Sequence, residues 1–442
     1  MNIVIIGGSF AGISCAMETR KLHPKANIYI LEKQSTIGFI PSGLNLTLNE
    51  EIEDITQAYF VTESDVRRAN IKLHLDSEVT AIKADEQKIT YYDHVNQEHK
   101  IMAYDKLVLA MGSRQESSIL HDWSHPQLVT TKELQNAANG YAKIDKAQHI
   151  AVIGGGQIGI EVTEALVNAN KQVTLIEAET SLLSRYFDQD VVDSVQEAIE
   201  IVGVDILLDE KVMDISGKSL KVTTTKRTLN PDLVILGVNL SPQSHLVADL
   251  LPLNEDGTIV VNDYLETAIT NIYAVGDLVQ TPTFEEEQAF IALVNNAVRS
   301  GQIAAFNLFE PRVKHQQSLR LIGSRVFSQY ITSVGQTEIE ASQHYEVSTV
   351  NVESPYSITI SDPVKLKLIT DSKTGKILGA QIRSEQDILS MADTIAIAIS
   401  NNLTDQELAF QDRLYYARFT STQPIIYLAA LRSFENRLRN TK

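Results

Sequence analysis

The stretch IVIIGGSFAG, residues 3–12, joins a short apolar run to a glycine-rich turn, and apolar residues at helical spacing follow it. A second apolar run, NIYIL at residues 27–31, ends on Glu32. Strand, glycine-rich turn, helix and strand make one βαβ unit. Such a turn lets a pyrophosphate approach backbone N–H groups at a helix N-terminus. An acidic residue ending the next strand accepts hydrogen bonds from the adenosine ribose, so the stretch predicts dinucleotide binding.

The same pattern recurs at residues 150–177, where the run IAVIGGGQIG leads into a helical pattern and a strand that ends on Glu177. From Gly12 to Glu32 is 20 residues and from Gly159 to Glu177 is 18, close to the ~20 expected. One such turn is weak evidence because a structural loop has the same composition, and Ser9 replaces the middle glycine in the first copy. Two copies in the right context predict two nucleotide sites, which indicates a flavin and a nicotinamide.

Glu177 also bears on the choice of nicotinamide. A carboxylate at this position repels a 2′-phosphate, Glu179 adds to the repulsion, and the nearest arginine is Arg185. NADH is therefore predicted rather than NADPH. If Glu177 is only a solvated strand end, the preference stays open.

Gly276 and Asp277 close a further apolar strand, residues 272–275. An aspartate at a βα turn can bind the ribityl hydroxyls of a flavin. On its own it is equally compatible with a helix N-cap. Its place after the second nucleotide unit favours the flavin interpretation.

Composition limits the partners. The 442 residues are 43% hydrophobic and 21% charged, with a formal net charge of −18. That acidic balance argues against nucleic acid or an anionic membrane surface as partner. No apolar run approaches the ~18–20 residues of a membrane span, and the N-terminus lacks the charged region of a secretory signal. These features predict a cytoplasmic, multidomain protein without membrane insertion.

Cysteine and histidine give no sign of a metal centre. Cys15 is the single cysteine, so neither an intrachain disulfide nor a thiolate cluster can form. It lies three residues after Gly12, where a small buried residue is expected. His121 and His125 are four residues apart, but Asp-Trp-Ser between them and Pro126 after them indicate a loop, and no metal site is predicted.

Three further segments organise the chain. The segment 112–148 is polar and turn-rich, and we expect it to cross between domains. A long helix is predicted at about 287–309. Beyond about 315, strands (347–352, 364–369 and 377–382) give way to helices (388–400 and 424–435) without a glycine fingerprint, which predicts a separate α+β domain.

Several motifs together resemble one family. They are the segments 4–12, 104–112, 154–161, 267–277, 291–297 and 375–381. With them the chain resembles the flavoprotein pyridine nucleotide-disulfide reductases, in particular the NADH oxidase, NADH peroxidase and CoA-disulfide reductase group. The resemblance implies an α/β protein with two Rossmann-like FAD/NAD(P)-binding domains and a C-terminal α+β dimerisation domain. It places FAD binding at 1–115 and 245–314, NADH binding at 116–244, and dimerisation at 315–442, in a homodimer.

The resemblance also implies which residues contact the cofactors. For FAD these are Gly7, Gly8, Ser9, Phe10, Ala11, Gly12, Glu32, Lys33, Ser42, Val79, Ala110, Met111, Gly112, Gly276, Asp277, Leu293 and Ala297. For NADH they are Gly154, Gly156, Gln157, Ile158, Gly159, Glu161, Glu177, Tyr186 and Gly237. Hydride would pass from the nicotinamide to one face of the flavin, and the acceptor would react on the other.

Two departures from the family decide the expected function. Ser42 stands where the group has its redox cysteine, and Phe10 stands where a histidine normally lies. A thiolate cycles through a sulfenic acid or a mixed disulfide, whereas a serine hydroxyl does neither. We therefore expect neither direct peroxidase nor disulfide-reductase activity, and we expect Ser42 and Phe10 only to shape the acceptor side. Gln157 replaces a tyrosine that shields the flavin in many relatives, which either opens the flavin to acceptors or merely solvates the turn.

Two functions remain open at this point. The first is an FAD enzyme that oxidises NADH and passes electrons directly to an acceptor, either oxygen, giving hydrogen peroxide, or a quinone or other small molecule. The second is a flavin-binding pseudoenzyme with a redox-sensing or interaction role. The intact second nucleotide unit favours the enzyme.

Overall fold

The computed structural model describes residues 1–115, 125–217, 219–238, 240–284, 287–415 and 423–440. These residues fall into two compact units. The first lies within Met1–Ser118, Thr130–Tyr141 and Asn239–Ser318, and the second within Ile119–Val129, Ala142–Val238 and Leu319–Lys442.

The first unit is built on a parallel five-stranded sheet. Its strands, in spatial order, are Ile272–Ala274, Lys106–Leu109, Asn2–Ile6, Asn27–Leu31 and Ile71–His74. Ile3, Val4 and Ile5 are fully buried, as expected for a parallel strand covered on both faces. Helix Phe10–Leu22 follows the central strand and packs closely on helix Val294–Asn307, where a Cβ on Gly301 would overlap the Ala11 carbonyl.

Smaller elements complete this unit. An antiparallel sheet joins Ser77–Lys83, Lys88–Asp93 and Glu98–Ala103, and two short pairs join Ser113–Gln115 to Leu240–Pro242 and Thr281–Pro282 to Gln288–Ala289. Its short helices are Gly43–Leu48 and Glu63–Arg68, with 3-10 turns at Ile55–Gln57, Ala84–Glu86, His245–Val247 and Gly276–Leu278. A further helix in the chain spans Leu134–Lys146.

The second unit repeats the parallel design. Its strands, in spatial order, are Asp205–Leu207, Gln172–Ile176, His149–Ile153, Leu233–Leu236 and Leu128–Val129. Helices Gln157–Asn168 and Gln189–Ile201 accompany them, with an antiparallel sheet of Val212–Ser216, Lys221–Thr224 and Thr228–Leu229. Two Rossmann-type sheets, one in each unit, confirm that part of the predicted fold class.

The C-terminal part of the second unit is an antiparallel sheet with helices, also as predicted. The sheet runs Ile322–Val326, Gln329–Gly335, Ile377–Ser384, Pro363–Asp371 and Val347–Pro355. The helices are Glu338–Ala341, Met391–Ser400, Asp405–Ala409 and Ile425–Asn440. The three-domain division of the chain stays a prediction.

Two expectations about local structure were wrong. In the described part of the segment 112–148, turns are not the main structure, because Leu134–Lys146 forms a helix of 13 residues. The helix expected at 287–309 begins only at Val294, since Leu293 has extended backbone angles and acts as its N-cap. The residues before it include the strand Gln288–Ala289.

Cys15 lies in the core, as the sequence predicted. Its side chain is fully buried, and its sulfur lies 3.9 Å from the Thr19 hydroxyl. Burial raises the pKa of this thiol to about 12, so the reactive thiolate is scarce at neutral pH.

Candidate functional site

The first glycine turn is shaped by close backbone approaches. Gly7 has φ +112°, and a Cβ there would overlap the Ala110 carbonyl oxygen. A Cβ on Gly12 would overlap the Gly7 carbonyl, so glycine lets the helix start directly against the strand. Ser9 is the exposed N-cap of that helix and makes no side-chain capping bond.

Glu32 holds this turn from the neighbouring strand. Its carboxylate accepts hydrogen bonds from the backbone N–H of Gly8 at 2.7 Å and of Gln34 at 2.9 Å. Burial raises the pKa of Glu32, and these two hydrogen bonds oppose the rise. The carboxylate therefore lies at the edge of the turn, where a ribose would be bound.

Asp277 belongs to a cluster that includes two residues absent from the sequence predictions. The Lys132 ammonium lies 2.8 Å from its carboxylate, and the Ser113 hydroxyl donates to it at 2.5 Å. Lys132 also donates to Ser113. Asp277 is not an N-cap, because it lies inside the turn Gly276–Leu278 and Val275 holds that position. No motif marks Lys132, which reaches Asp277 across 145 residues of chain.

Lys33 and the segment after Ala110 converge on a third residue that the sequence predictions lack, Gln243. The Gln243 side chain donates to the Met111 carbonyl at 2.8 Å, and its backbone N–H donates to the Gly112 carbonyl at 2.9 Å. Lys33 Nζ lies 3.3 Å from Gln243 Oε1 and 3.4 Å from Glu133 Oε1. Gly112 has φ +68° with open space beside its Cα.

Five more of the predicted FAD contacts lie elsewhere in the first unit. Ala110 is buried at the end of strand Lys106–Leu109, and half-buried Val79 packs against the core of this unit. Leu293 caps helix Val294–Asn307, and Ala297 is buried in its first turn. The backbone N–H of Gly276 donates to the hydroxyl of Ser300, which lies in helix Val294–Asn307, at 2.9 Å.

The second nucleotide unit repeats the arrangement around Glu32. The Glu177 carboxylate accepts hydrogen bonds from the backbone N–H of Gly155 at 2.5 Å and of Glu179 at 2.8 Å. Gly154 has φ +106°, and a Cβ on Gly159 would overlap its carbonyl. Gly237 packs directly against Gly159, with only 3.0 Å between an added Cβ and the Gly159 Cα.

Gln157 is held by hydrogen bonds rather than left to solvate the turn. Its amide donates to the Ser324 hydroxyl at 2.8 Å and to the Glu161 carboxylate at 3.2 Å. Ser324 donates to the same carboxylate at 2.6 Å. Burial raises the pKa of Glu161, and these hydrogen bonds oppose the rise. Ile158, which directly follows Gln157, is exposed.

Tyr186 is tied to the C-terminal sheet by its backbone. The Ser333 hydroxyl donates to the Tyr186 carbonyl at 2.6 Å, and Asp188, two residues later, exchanges hydrogen bonds of 2.7 and 2.9 Å with Gln381. Lys367 Nζ lies 3.3 Å from Asp188 and 2.8 Å from both Asp190 and Glu338.

Lys367 is 5% exposed and Asp188 is 7% exposed, so this pair is buried, whereas the side chains of Asp190 and Glu338 reach solvent. Burial alone would lower the pKa of Lys367. The carboxylates of Asp190 and Glu338 nevertheless hold it well above its usual value.

Ser42 and Phe10 are linked through neighbouring backbone. Gly38 donates its N–H to the Gly8 carbonyl at 3.0 Å, and Phe60 donates its own to the Gly38 carbonyl at 3.0 Å. The Phe10 and Phe60 rings stack with centroids 4.3 Å apart and planes at 10°. Ser42 begins helix Gly43–Leu48, and its carbonyl accepts from Leu46 at 3.0 Å. Ser42, at the position where the resembling family has its redox cysteine, therefore lies in a segment packed beside the first glycine turn.

The described residues fit two dinucleotide cofactors. Open space remains beside Gly112 in the first unit and beside Gly156, the N-cap of helix Gln157–Asn168, in the second. Each unit places a carboxylate, Glu32 or Glu177, at its glycine turn. Bound FAD supplies a two-electron carrier between a nicotinamide and an acceptor.

Comparison with known proteins assigns the family. Residues 1–301 match the pyridine nucleotide-disulphide oxidoreductase family, and residues 324–418 match its dimerisation domain. The chain belongs to this family. It is an FAD-dependent pyridine nucleotide oxidoreductase, and the resemblance drawn from its motifs is confirmed.

This oxidoreductase has relatives along its full length. It is 27% identical to an NADH oxidase from Enterococcus faecalis, over 99% of this chain and 100% of the relative. A water-forming NADH oxidase from Lactobacillus brevis, solved with NADH, superimposes with a TM-score of 0.94 at 26% identity, covering 100% of both chains. A pyridine nucleotide-disulfide family oxidoreductase from Enterococcus faecalis is 32% identical, with a TM-score of 0.89 over 99% of this chain and 100% of that chain.

The Lactobacillus brevis enzyme also exists as an engineered NADPH oxidase, solved with NADPH. Its substitutions include aspartate to alanine and alanine to arginine, and it superimposes with a TM-score of 0.94 at 26% identity over 100% of both chains.

The described residues of this oxidoreductase lack two kinds of feature, a metal-binding cluster and a membrane-spanning helix. Within the described ranges, no three His, Cys, Asp or Glu side chains form a group able to hold a metal ion. His121 lies outside the described residues, whereas His125 Nε2 is 2.9 Å from the Gly217 carbonyl oxygen. Among the helices that the structure describes, none has the length and apolar character to cross a membrane.

Proposed function

We propose that this oxidoreductase oxidises NADH and passes the electrons through bound FAD directly to a small acceptor, with no thiol intermediate. With oxygen as the acceptor, the released product is hydrogen peroxide. The observation that carries the proposal is the absence of any usable thiol. Ser42 stands at the redox position, and Cys15, the one cysteine, is buried with a pKa raised to about 12.

The chain's own residues have distinct parts in this proposal. Glu32 and the Lys132–Asp277 pair bind FAD in the first unit. Glu177 binds the adenosine ribose of NADH in the second. The repulsion between Glu177 and a 2′-phosphate selects NADH, and the substitutions in the engineered NADPH oxidase support this reasoning. The dimerisation-domain match at 324–418 supports a homodimer.

An anaerobic titration of the FAD-loaded protein with NADH tests the first half of the proposal. The flavin absorbance band should bleach in a single stage at about one NADH per flavin, because no second redox centre accepts electrons. A band that stays oxidised would contradict the proposal and favour the pseudoenzyme. A second stage of reduction would reveal another redox centre.

Turnover in air tests the second half. Hydrogen peroxide should accumulate at about one molecule per NADH oxidised, since no thiolate is available to reduce it. Peroxide is measured by a coupled peroxidase assay, with added catalase as the control that abolishes the signal. Water as the only product would contradict the proposal.

Ser42→Cys tests whether the pocket still supports a thiol. We expect the variant to consume part of its own peroxide, so that peroxide per NADH falls below the wild-type ratio. The fall should be larger when Phe10→His is added, because an imidazolium stabilises a thiolate and a phenyl ring does not. Phe10→His alone, which adds no thiol, is the matched control and should keep the wild-type ratio. An unchanged ratio in the folded, FAD-loaded double variant would show that the segment around Ser42 no longer activates a thiol.

A further inference from the structure

Glu161 is a partly buried carboxylate with neutral partners. It lies in helix Gln157–Asn168, and burial raises its pKa. Hydrogen bonds from Ser324 and Gln157 oppose that rise, and in the part of the chain that the structure describes no ammonium or guanidinium group forms an ion pair with it. A carboxylate removed from water without a cation is costly unless other donors replace the water. The surroundings of Glu161 therefore favour uncharged N–H and O–H donors.

Gln157 supplies such donors from a carboxamide. Its NH₂ group lies 2.8 Å from Ser324 Oγ, 3.2 Å from Glu161 Oε1 and 3.2 Å from the Gly323 carbonyl oxygen. Two N–H groups are thus shared among three acceptors, and two of the three distances lie at the long limit of the normal range. The Ser324 hydroxyl donates to the same Glu161 oxygen at 2.6 Å. Another carboxamide could replace that of Gln157 without leaving these acceptors unpaired.

The position of this cluster suits the nicotinamide half of a dinucleotide. Gly156, directly before Gln157, is the N-cap of the helix and has open space beside its Cα, where a pyrophosphate can approach. Glu177 lies at the same glycine turn, on the adenosine side. Gln157 and Glu161 are four residues apart and share one face of the helix, so both are within reach of the other half. Nicotinamide carries a carboxamide, the functional group that glutamine also has.

We propose that the Gln157 side chain is an internal competitor of NADH. In the free protein its carboxamide occupies the place at Glu161 and the Gly323 carbonyl that the nicotinamide carboxamide takes in the complex, and it leaves when the nucleotide binds. Ser324 keeps Glu161 in position in both states, through the hydroxyl that donates to it. The inference rests on the proposed function and adds a control of nucleotide affinity to it.

The sign of the effect follows from this exchange. Binding replaces one carboxamide by another, so the nicotinamide gains little from hydrogen bonds that Gln157 had already made. The apparent affinity is reduced to the fraction of molecules in which the place is free. With Gln157 in place about nine-tenths of the time, its removal should strengthen binding about tenfold. A side chain that only contacts the bound nucleotide would have the opposite effect, because its truncation weakens binding.

The first test compares NAD⁺ with ADP-ribose, which lacks the nicotinamide. Each is titrated into the oxidised FAD-loaded protein and followed by calorimetry, so that no turnover occurs. Gln157→Ala should bind NAD⁺ about tenfold more tightly than the wild type and ADP-ribose with the wild-type affinity. Unchanged or weaker binding of NAD⁺ by the variant would overturn the proposal. An equal gain for both ligands would also overturn it, because Gln157 would then hinder the nucleotide as a whole.

The second test places the carboxamide at Glu161. The oxidised 3-acetylpyridine analogue of NAD⁺ keeps the charge of the ring but has an acetyl group, which carries no N–H. Gln157→Ala should bind NAD⁺ at least about fivefold more tightly than the analogue, and Gln157→Ala combined with Glu161→Ala should lose most of that preference. Equal affinities of Gln157→Ala for the two ligands would place the carboxamide elsewhere and overturn the proposal.

A matched control separates this effect from a general loosening of the helix. Glu164 lies on the same helix and accepts from the Phe327 N–H at 2.7 Å, so Glu164→Gln alters another contact with the C-terminal part of the unit. It should bind NAD⁺ and ADP-ribose as the wild type does, and a tenfold gain for NAD⁺ there would count against an internal competitor. Binding of neither ligand to the wild type would contradict the proposed function itself. Binding of ADP-ribose without the gain in Gln157→Ala would contradict only the present inference.

Discussion

Glu177→Gln combined with Glu179→Arg is expected to shift the ratio of kcat/KM for NADPH over NADH by about a hundredfold in favour of NADPH, or about 3 kcal/mol. The wild-type turn carries two carboxylates, and the Glu177 carboxylate accepts from Gly155 and Glu179 N–H groups. A 2′-phosphate placed here meets like charge at a few ångströms. Glutamine keeps an acceptor for the turn, and arginine supplies a partner for the phosphate.

Steady-state kinetics with both nucleotides at two salt concentrations provide the measurement. The shift should shrink at high salt, because Glu179 is exposed and its charge is screened. Glu32→Gln is the matched control, since Glu32 makes the same pair of backbone contacts in the first unit. It should weaken FAD retention and leave the nucleotide ratio unchanged. A ratio that moves equally in both variants would mean that Glu177 does not face the ribose.

Lys367→Met is expected to lower the free energy of unfolding by about 3–5 kcal/mol. The buried ammonium lies within 3.3 Å of Asp188 and 2.8 Å of Asp190 and Glu338, and its removal leaves the buried Asp188 carboxylate uncompensated. Urea unfolding of the FAD-loaded protein, followed by circular dichroism, measures the loss. Because this cluster adjoins Tyr186, the KM for NADH should rise as well.

Two variants separate buried charge from other effects. Lys365 lies on the same strand as Lys367, is exposed, and has its Nζ 3.5 Å from the Glu353 carboxylate. Lys365→Met should therefore lower the free energy of unfolding by less than about 1 kcal/mol. Adding Asp188→Asn to Lys367→Met should recover at least part of the stability, because the uncompensated charge is gone. Equal losses of unfolding free energy in Lys365→Met and Lys367→Met would show that burial of the Lys367–Asp188 pair does not affect stability.

The parallel sheets and glycine turns could be predicted because their signals are local. Strands Asn2–Ile6 and His149–Ile153 are short apolar runs, and each ends at a glycine that needs positive φ. The helix Leu134–Lys146 was missed although Leu134, Tyr141 and Ile144 have helical spacing, since Asn and Gly residues dilute the pattern.

The finer parts of the site depend on packing between distant segments. Lys132 meets Asp277 across 145 residues, and nothing near either residue in the sequence indicates that contact. The buried amide oxygen of Asn45, in helix Gly43–Leu48, has no hydrogen-bond partner, and this too is a property of the folded chain. The equivalence of Ser42 to a redox cysteine came from family resemblance, because a serine beside a glycine has no chemical signature of its own.

The burial of Cys15 also bears on how the protein would survive hydrogen peroxide, the product proposed above. An enzyme that releases hydrogen peroxide exposes itself to continuous oxidation, and a working thiolate would be driven to irreversible sulfinic acid. Here the one sulfhydryl, that of Cys15, is buried and protonated, so the chain has no reactive thiolate that could be oxidised in this way. Among the sulfur-containing side chains, the six methionines then remain as targets of such oxidation. We therefore expect that a reducing agent added in storage protects no group on which turnover depends.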